Sequence, residues 1–163
     1  MVSLTSEDLA DAAAFLSALQ RELPGLVTSE GAGDFYVFYD PDGVTVADNR
    51  FPFVTLMTGD RYDAASNLDR DERTYRVNVG VGRRAYEDVF GKAPREAAGY
   101  RVIDTGHDYT TTDAVLPHPF YAPLHWVCVV APGPRTRDQL AALVETAYAE
   151  AARHYDNQRR PRD

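Results

Sequence analysis

Apolar residues recur at helical spacing in two parts of the chain. Between residues 9 and 23 leucine and alanine lie three or four positions apart, which predicts an amphipathic first helix. Thr5 and Asp8 have the spacing of a capping box and would start this helix. A longer apolar stripe over residues 140–151 predicts a last helix that ends near Tyr155.

Four other segments have the composition or the two-residue period of β-strands. Residues 35–39 are aromatic and end in Asp-Pro-Asp-Gly, which predicts a strand and a hairpin with residues 44–47 as the return. Residues 51–58 and 126–131 are rich in β-branched and aromatic residues. Residues 74–81 alternate strictly, with Arg76 and Asn78 on the face opposite to the apolar one.

The order of these elements predicts an α+β domain with one antiparallel sheet and helices packed on one face. A short helix over residues 83–90 with Gly91 as its C-cap completes the pattern. We expect a single domain over residues 1–157 and a disordered tail over 158–163. Residues 35–39 and 51–58 carry bulky side chains on both alternating faces, so the sheet face away from the helices should be covered by a ligand or by a second subunit.

Composition narrows the class of protein. The 17 basic and 25 acidic residues give a net charge of −8, which disfavours nucleic acid as a partner. Cys128 is the only cysteine, no segment resembles a secretion signal, and no stretch is apolar enough to span a bilayer. We therefore expect a cytoplasmic protein without a membrane partner. The use of arginine for all basic residues except Lys92 is typical of GC-rich coding and favours a bacterial source.

The candidate catalytic residues follow the predicted short helix. In Pro117-His118-Pro119 the two prolines restrict the backbone around one imidazole, and Tyr121 and His125 lie close in sequence. A histidine paired with a tyrosine hydroxyl is suited to acid–base chemistry. The alternative, which we favour, is that His118 caps a neighbouring backbone group.

Arg76 and Asn78 are the first candidates for binding a ligand, since a guanidinium and an amide together recognise carboxylate or phosphate. Asn67, in the preceding loop, and Trp126 are the others. The histidines and aspartates of residues 104–125 lack the spacing of a metal site, so we expect no metal and no cofactor. Cys128 has the surroundings of a buried small hydrophobe.

Five segments, at residues 34–43, 51–55, 75–80, 117–121 and 126–133, resemble those of a bacterial family of proteins of unknown function. They include the motifs Pro-His-Pro-x-Tyr and Trp-Val-x-Val-Val-x-Pro-Gly. The order of elements is similar to that of the YjbR/MmcQ-like proteins, a resemblance that implies a two-layer architecture and a DNA-binding-like fold. The first family implies no activity.

Three functions remain open after the sequence is read. The one ranked first is a non-catalytic module that binds a small molecule or another protein, including a second copy of itself, through the open face of the sheet. The second is a small-molecule isomerase, lyase or hydrolase that uses His118, Tyr121 or His125 with Arg76 and Asn78 as anion-binding groups. Nucleic-acid binding is ranked last because of the negative net charge.

Overall fold

The computed structural model describes residues 1–43 and 51–159. Over them the chain forms three α-helices and one six-stranded antiparallel sheet, which confirms the α+β class. The helices are α1 (Ala12–Glu22), α2 (Arg83–Phe90) and α3 (Arg137–Arg159). The strands are β1 (Leu26–Gly31), β2 (Asp34–Tyr39), β3 (Val54–Met57), β4 (Arg76–Gly80), β5 (Val115–Pro117) and β6 (Trp126–Val130).

The strand order in the sheet is β1-β2-β3-β4-β6-β5. The first four strands follow one another as antiparallel neighbours, as is common for consecutive strands. After α2 the chain forms β5 at the sheet edge, and β6 then returns between β4 and β5. The segment that joins β5 to β6 therefore lies beside the central strand β4.

One hairpin differs from the sequence-based prediction. Residues 35–39 do form a strand, but β2 pairs with β1, which the sequence pattern did not predict. Ala32 and Gly33 connect the two strands and have φ angles of 55° and 87°, the left-handed conformation that two-residue hairpin turns need. The predicted return strand at residues 44–47 lies outside the described residues.

The main core lies between the sheet and the helices. Val77 faces Leu56 and Val129 across neighbouring strands, which gives the inner sheet face a continuous apolar surface. Phe15 of α1 and Leu140 of α3 are fully buried in the same cluster. Burying a side chain of this size contributes roughly 1.5–3 kcal/mol, so this face accounts for much of the driving force for folding.

The ends of the helices also differ from prediction. The side chains of Thr5 and Asp8 do each accept from the other's backbone N–H, as in a capping box, but they begin a 3-10 turn at Glu7–Leu9 rather than α1. The carboxylate of Asp11 caps α1 by accepting from the N–H of Ala14 at 2.8 Å. At the other end α3 continues to Arg159, and residues 160–163 of the predicted tail lie outside the description.

The outer face of the sheet carries polar groups that are nevertheless buried. Arg76 and Asn78 alternate with the apolar residues of β4 as predicted, yet each is only 1% exposed. Asp63 and Ser66, from the β3–β4 loop, contact Arg76, while His118, from the β5–β6 segment, lies against Trp126. These two connections cover part of the outer face and leave a concavity between them.

Candidate functional site

The floor of the concavity is a chain of hydrogen bonds across β3 and β4. The Nε of Arg76 donates to Oδ1 of Asn78 at 2.8 Å, and Nδ2 of Asn78 donates to the hydroxyl of Thr55 at 2.9 Å. Antiparallel pairing places Thr55 directly opposite Asn78, so strand register alone brings these side chains together. The floor is thus fixed before any ligand binds.

The positive charge of Arg76 is already paired within the protein. Asp63 accepts from Nη1 and Nη2 at 3.1 and 2.6 Å, and Ser66 accepts from Nη1 at 2.9 Å. A buried arginine needs such a partner, because an uncompensated charge out of water costs several kcal/mol. Arg76 is therefore an organising cation of the floor, and its charge is not free for an anionic ligand.

His118 forms one wall and is held by its backbone neighbours. The residue is 4% exposed, and Nδ1 accepts hydrogen bonds from the N–H groups of Phe120 and Tyr121, both at 3.0 Å. A nitrogen that accepts two hydrogen bonds carries no proton, so the neutral ring carries its proton on Nε2. Burial, and secondarily the charge of Arg76, holds the pKa of His118 well below its ordinary value.

Aromatic rings form the remaining walls. The Trp126 indole lies over β4 because Gly80 has no side chain: a Cβ there would lie 2.8 Å from Cε2 of the indole. The Tyr121 ring packs near His118, with 5.0 Å between ring centroids, and against Gly99. Two glycines thus admit two aromatic rings to this side of the sheet.

These groups line one part of a half-open cavity whose whole volume is about 820 Å³. It extends from the outer sheet face past Gly80 and Gly82 to the C-terminal half of α3. On the outer face its lining consists of aromatic and apolar side chains around the polar floor, namely Tyr36, Phe38, Thr55, Met57, Tyr62, Asp63, Arg76, Asn78, His118, Phe120, Tyr121, Leu124 and Trp126.

Five of the residues singled out in the sequence line this cavity, namely Arg76, Asn78, His118, Tyr121 and Trp126. The structure leaves two others outside it. His125 has left-handed backbone angles and packs against Tyr86, beside a shallower pocket near Arg83 and Lys92. Asn67 is an exposed turn residue with a φ angle of 51°, and its carbonyl accepts from Arg70.

Both interpretations of His118 describe part of what the structure contains. Its Nδ1 accepts from two backbone N–H groups, as expected if His118 has only a capping role. The same ring also lines the cavity together with Arg76, as the functional interpretation required. Only the second nitrogen, Nε2, is therefore available to a ligand.

Sequence reasoning missed Asp63 and Thr55. A buried arginine implies a carboxylate partner, but five acidic residues lie between Asp60 and Glu72, and the sequence does not select one of them. Thr55 was detectable in principle, since it alternates with Val54 and Leu56 in a strand. Its role depends on the β3–β4 register, which the sequence did not specify.

The described residues contain neither a reactive thiol nor a cluster of metal-binding side chains. Burial raises the pKa of Cys128 to about 12, so its thiol stays protonated, and it lies 3.7 Å from the carbonyl of Pro117. Residues 1–43 and 51–159 contain no group of three or more His, Cys, Asp or Glu side chains that could hold a metal ion. None of the helices in these ranges has the length and apolar composition needed to cross a membrane.

The model of DUF6194, a family of unknown function, matches residues 10–160. The chain belongs to this family. Membership in DUF6194 confirms the expectation of a family of unknown function and brings no activity with it. No curated protein and no solved structure matches the chain. The function of this DUF6194 protein therefore has to be derived from the residues of the cavity.

Proposed function

We propose that this DUF6194 protein is a non-catalytic module that binds a small molecule in the cavity on the outer face of its sheet. The observation that carries the proposal is that the outer-face part of this cavity, whose whole volume is about 820 Å³, combines aromatic walls with a polar floor fixed by internal hydrogen bonds. Ligand sites typically measure about 300–1,000 Å³ and place a few fixed polar groups among apolar walls. Both properties support binding.

Catalysis is supported less well by the same groups. A general base must present a free lone pair to the substrate, but Nδ1 of His118 already accepts two backbone hydrogen bonds. Arg76 is neutralised by Asp63, so it offers little stabilisation to a developing anion. An isomerase, lyase or hydrolase would need the ring of His118 to release its backbone contacts first.

Protein interaction is the second candidate, because the rim of the cavity is apolar. Phe51, Tyr62 and Leu124 line the cavity and are exposed by 88%, 66% and 59%. Exposed apolar groups around a concavity are typical of contact surfaces, so a second copy of the chain is an alternative occupant. The YjbR/MmcQ-like resemblance stays a prediction, and the net charge of −8 opposes the nucleic-acid binding that it would imply.

A fragment screen with blocked variants tests the proposal. We expect aromatic fragments to raise the melting temperature and to change the fluorescence of Trp126, the only tryptophan, which lies in the cavity wall. Thr55→Phe fills the floor and should abolish both responses, with Met57→Phe as a second blocking variant should the first be unstable. Gln20→Phe adds the same ring to an exposed position of α1 outside the lining and should change neither response.

Sedimentation separates the two candidates. A small-molecule module gives fragment responses that do not depend on protein concentration. If instead the wild type dimerises and shows no fragment response, and Leu124→Glu dissociates the dimer, the cavity is a subunit contact and the small-molecule proposal is wrong.

A further inference from the structure

One polar atom in the cavity wall has no partner within the protein. His118 is 4% exposed as a residue, and of its two ring nitrogens Nδ1 accepts from the N–H groups of Phe120 and Tyr121. No described residue, in ranges 1–43 and 51–159, accepts from Nε2, while the ring lines the cavity. Nε2 does not belong to the fully buried polar atoms of the described residues, so it is open to the cavity, where a ligand or water can accept its hydrogen bond.

The tautomer decides what this atom can recognise. Because Nδ1 accepts two backbone hydrogen bonds, the proton of the neutral ring lies on Nε2, which makes Nε2 a donor only. A donor in this position selects an acceptor oxygen or nitrogen on the ligand. A ligand ammonium or hydroxyl hydrogen finds no lone pair there.

The charges on the outer face select against an ionised ligand. Among the lining residues of this face the ionised side chains are Arg76 and Asp63, and these pair with each other through two hydrogen bonds. The pair has no net charge. A carboxylate or ammonium placed beside it would lose its hydration without gaining a free counter-ion.

The walls complete the selection. Trp126 and Tyr121 lie near His118, with ring centroids at 6.3 and 5.0 Å from its ring centroid, and Tyr36 and Phe38 line the cavity from β2. Aromatic walls stabilise flat apolar groups by burial and by ring contacts. The space near Nε2 therefore suits a ring system with one acceptor attached.

We propose that the cavity takes an uncharged aromatic carbonyl compound, an amide or a ketone, whose oxygen accepts a hydrogen bond from Nε2–H of His118. This inference rests on the proposed function and specifies its ligand class. His118 then recognises the polar group of the ligand by a hydrogen bond, while the aromatic rings pack against the apolar part of the ligand.

The first test needs no ligand. Long-range ¹H–¹⁵N NMR of the histidine rings should show Nδ1 of His118 unprotonated and Nε2 protonated at pH 7. A proton on Nδ1, or a doubly protonated ring, would overturn the inference even if the cavity binds small molecules.

The second test compares three probes of one shape, 2-naphthamide, 2-naphthoate and 2-naphthylmethylammonium, by calorimetry and by the shift of the Trp126 indole N–H resonance. We expect the amide to bind at least about tenfold more tightly than either ion, because neither ion gains a free counter-charge. Tighter binding of naphthoate would overturn the inference and would mean that a ligand carboxylate displaces Asp63 from Arg76.

Two substitutions of His118 supply matched controls. In His118→Asn the side-chain oxygen lies two bonds beyond Cβ, as Nδ1 does, so it keeps the cap of the backbone N–H groups but removes the Nε2 donor. We expect amide affinity to fall by about 5- to 100-fold, the usual range for a ligand acceptor left unpaired, with little change in melting temperature. His118→Gln keeps a donor at the distance of Nε2 and should retain more affinity than His118→Asn.

The outcomes separate the ligand class from the cavity itself. Equal amide affinity in wild type and His118→Asn would overturn the role of Nε2 while leaving the cavity as a binding site. If none of the three probes binds, the ligand class is wrong, and the fragment screen with Thr55→Phe decides independently whether the cavity binds anything.

Discussion

At the scale of single residues, buried polar side chains account for the character of the site. Arg76, Asn78 and His118 are each at most 4% exposed, and each makes hydrogen bonds that specify one orientation. Groups of this kind are costly unless they are paired, so their geometry is more restricted than that of the apolar residues around them. The alternation that places Arg76 and Asn78 on one face was predictable from the sequence. The partner Asp63 was not, because a loop contact has no periodic signature.

The buried neutral state of His118 predicts a pH dependence of stability. Its pKa is lowered in the folded protein, so between that pKa and the unfolded value near 6.5 the unfolded chain binds more protons. Stability should therefore fall as the pH decreases below about 6.5, by at most about 1.4 kcal/mol per pH unit from this residue. Denaturant unfolding of wild type and His118→Asn between pH 7.5 and 5 measures the difference.

The asparagine side chain at position 118 does not titrate, and most carboxylates titrate nearer pH 4. The difference in stability between the two proteins therefore isolates the contribution of His118. Parallel curves for the two proteins over this range would show that folding does not lower the pKa of His118, contrary to its burial and to the two hydrogen bonds that Nδ1 accepts.

Gly80 gives a second prediction for a single residue. A methyl group at this position meets the Trp126 indole at 2.8 Å, so Gly80→Ala should displace the ring, shift its fluorescence and cost about 1–3 kcal/mol of stability. Gly31→Ala is the control, since its nearest contact, a Tyr36 ring atom, is at an ordinary 3.9 Å. Unchanged Trp126 emission in Gly80→Ala would contradict the close packing of the indole on β4.

At the scale of elements, the β3–β4 loop is part of the site because Asp63 joins it to the sheet. Asp63→Ala leaves the guanidinium of Arg76 buried without its charge partner, which should cost about 3–5 kcal/mol in the free energy of unfolding. Glu87→Ala removes the partner of Arg83 in an exposed helix pair and should cost about 1 kcal/mol or less. Chemical denaturation of the two variants gives the comparison.

If Asp63→Ala loses no more free energy of unfolding than Glu87→Ala, Arg76 is solvated. The claim that internal hydrogen bonds fix the floor of the cavity would then be wrong. The free energy of unfolding of Asp63→Asn should lie between those of the wild type and Asp63→Ala, because the amide oxygen still accepts one hydrogen bond but carries no opposite charge.

Elements were predictable where one physical signal dominated. β4 carries strong alternation and β6 a continuous apolar run. α2 ends at Phe90 and is followed by Gly91, whose φ of 78° suits the predicted C-cap. β1 was missed because Thr28, Ser29 and Glu30 offer no apolar face, and its pairing with β2 is stabilised by the backbone. β5 has three residues and is stabilised by its pairing with β6, so no local sequence pattern predicts it.

At the scale of the whole molecule, the cavity results from how the connections cross the sheet. The sequence indicated that the outer face would be covered, because bulky side chains alternate on both faces of β2 and β3. It did not indicate a concavity, which depends on the β3–β4 loop and the β5–β6 segment covering different parts of that face. The fold class was therefore predictable from composition and period, whereas the shape of the site depends on tertiary contacts.

The central claim is that this concavity binds a small molecule, and a two-dimensional ¹H–¹⁵N NMR titration with the best fragment tests it most directly. The account predicts shifts in the Trp126 indole N–H, the Asn78 side-chain amide and the backbone amides of Phe120 and Tyr121, with α1 unchanged. Shifts centred instead on the shallower pocket near Arg83 and His125, or no shift with any fragment, would contradict it.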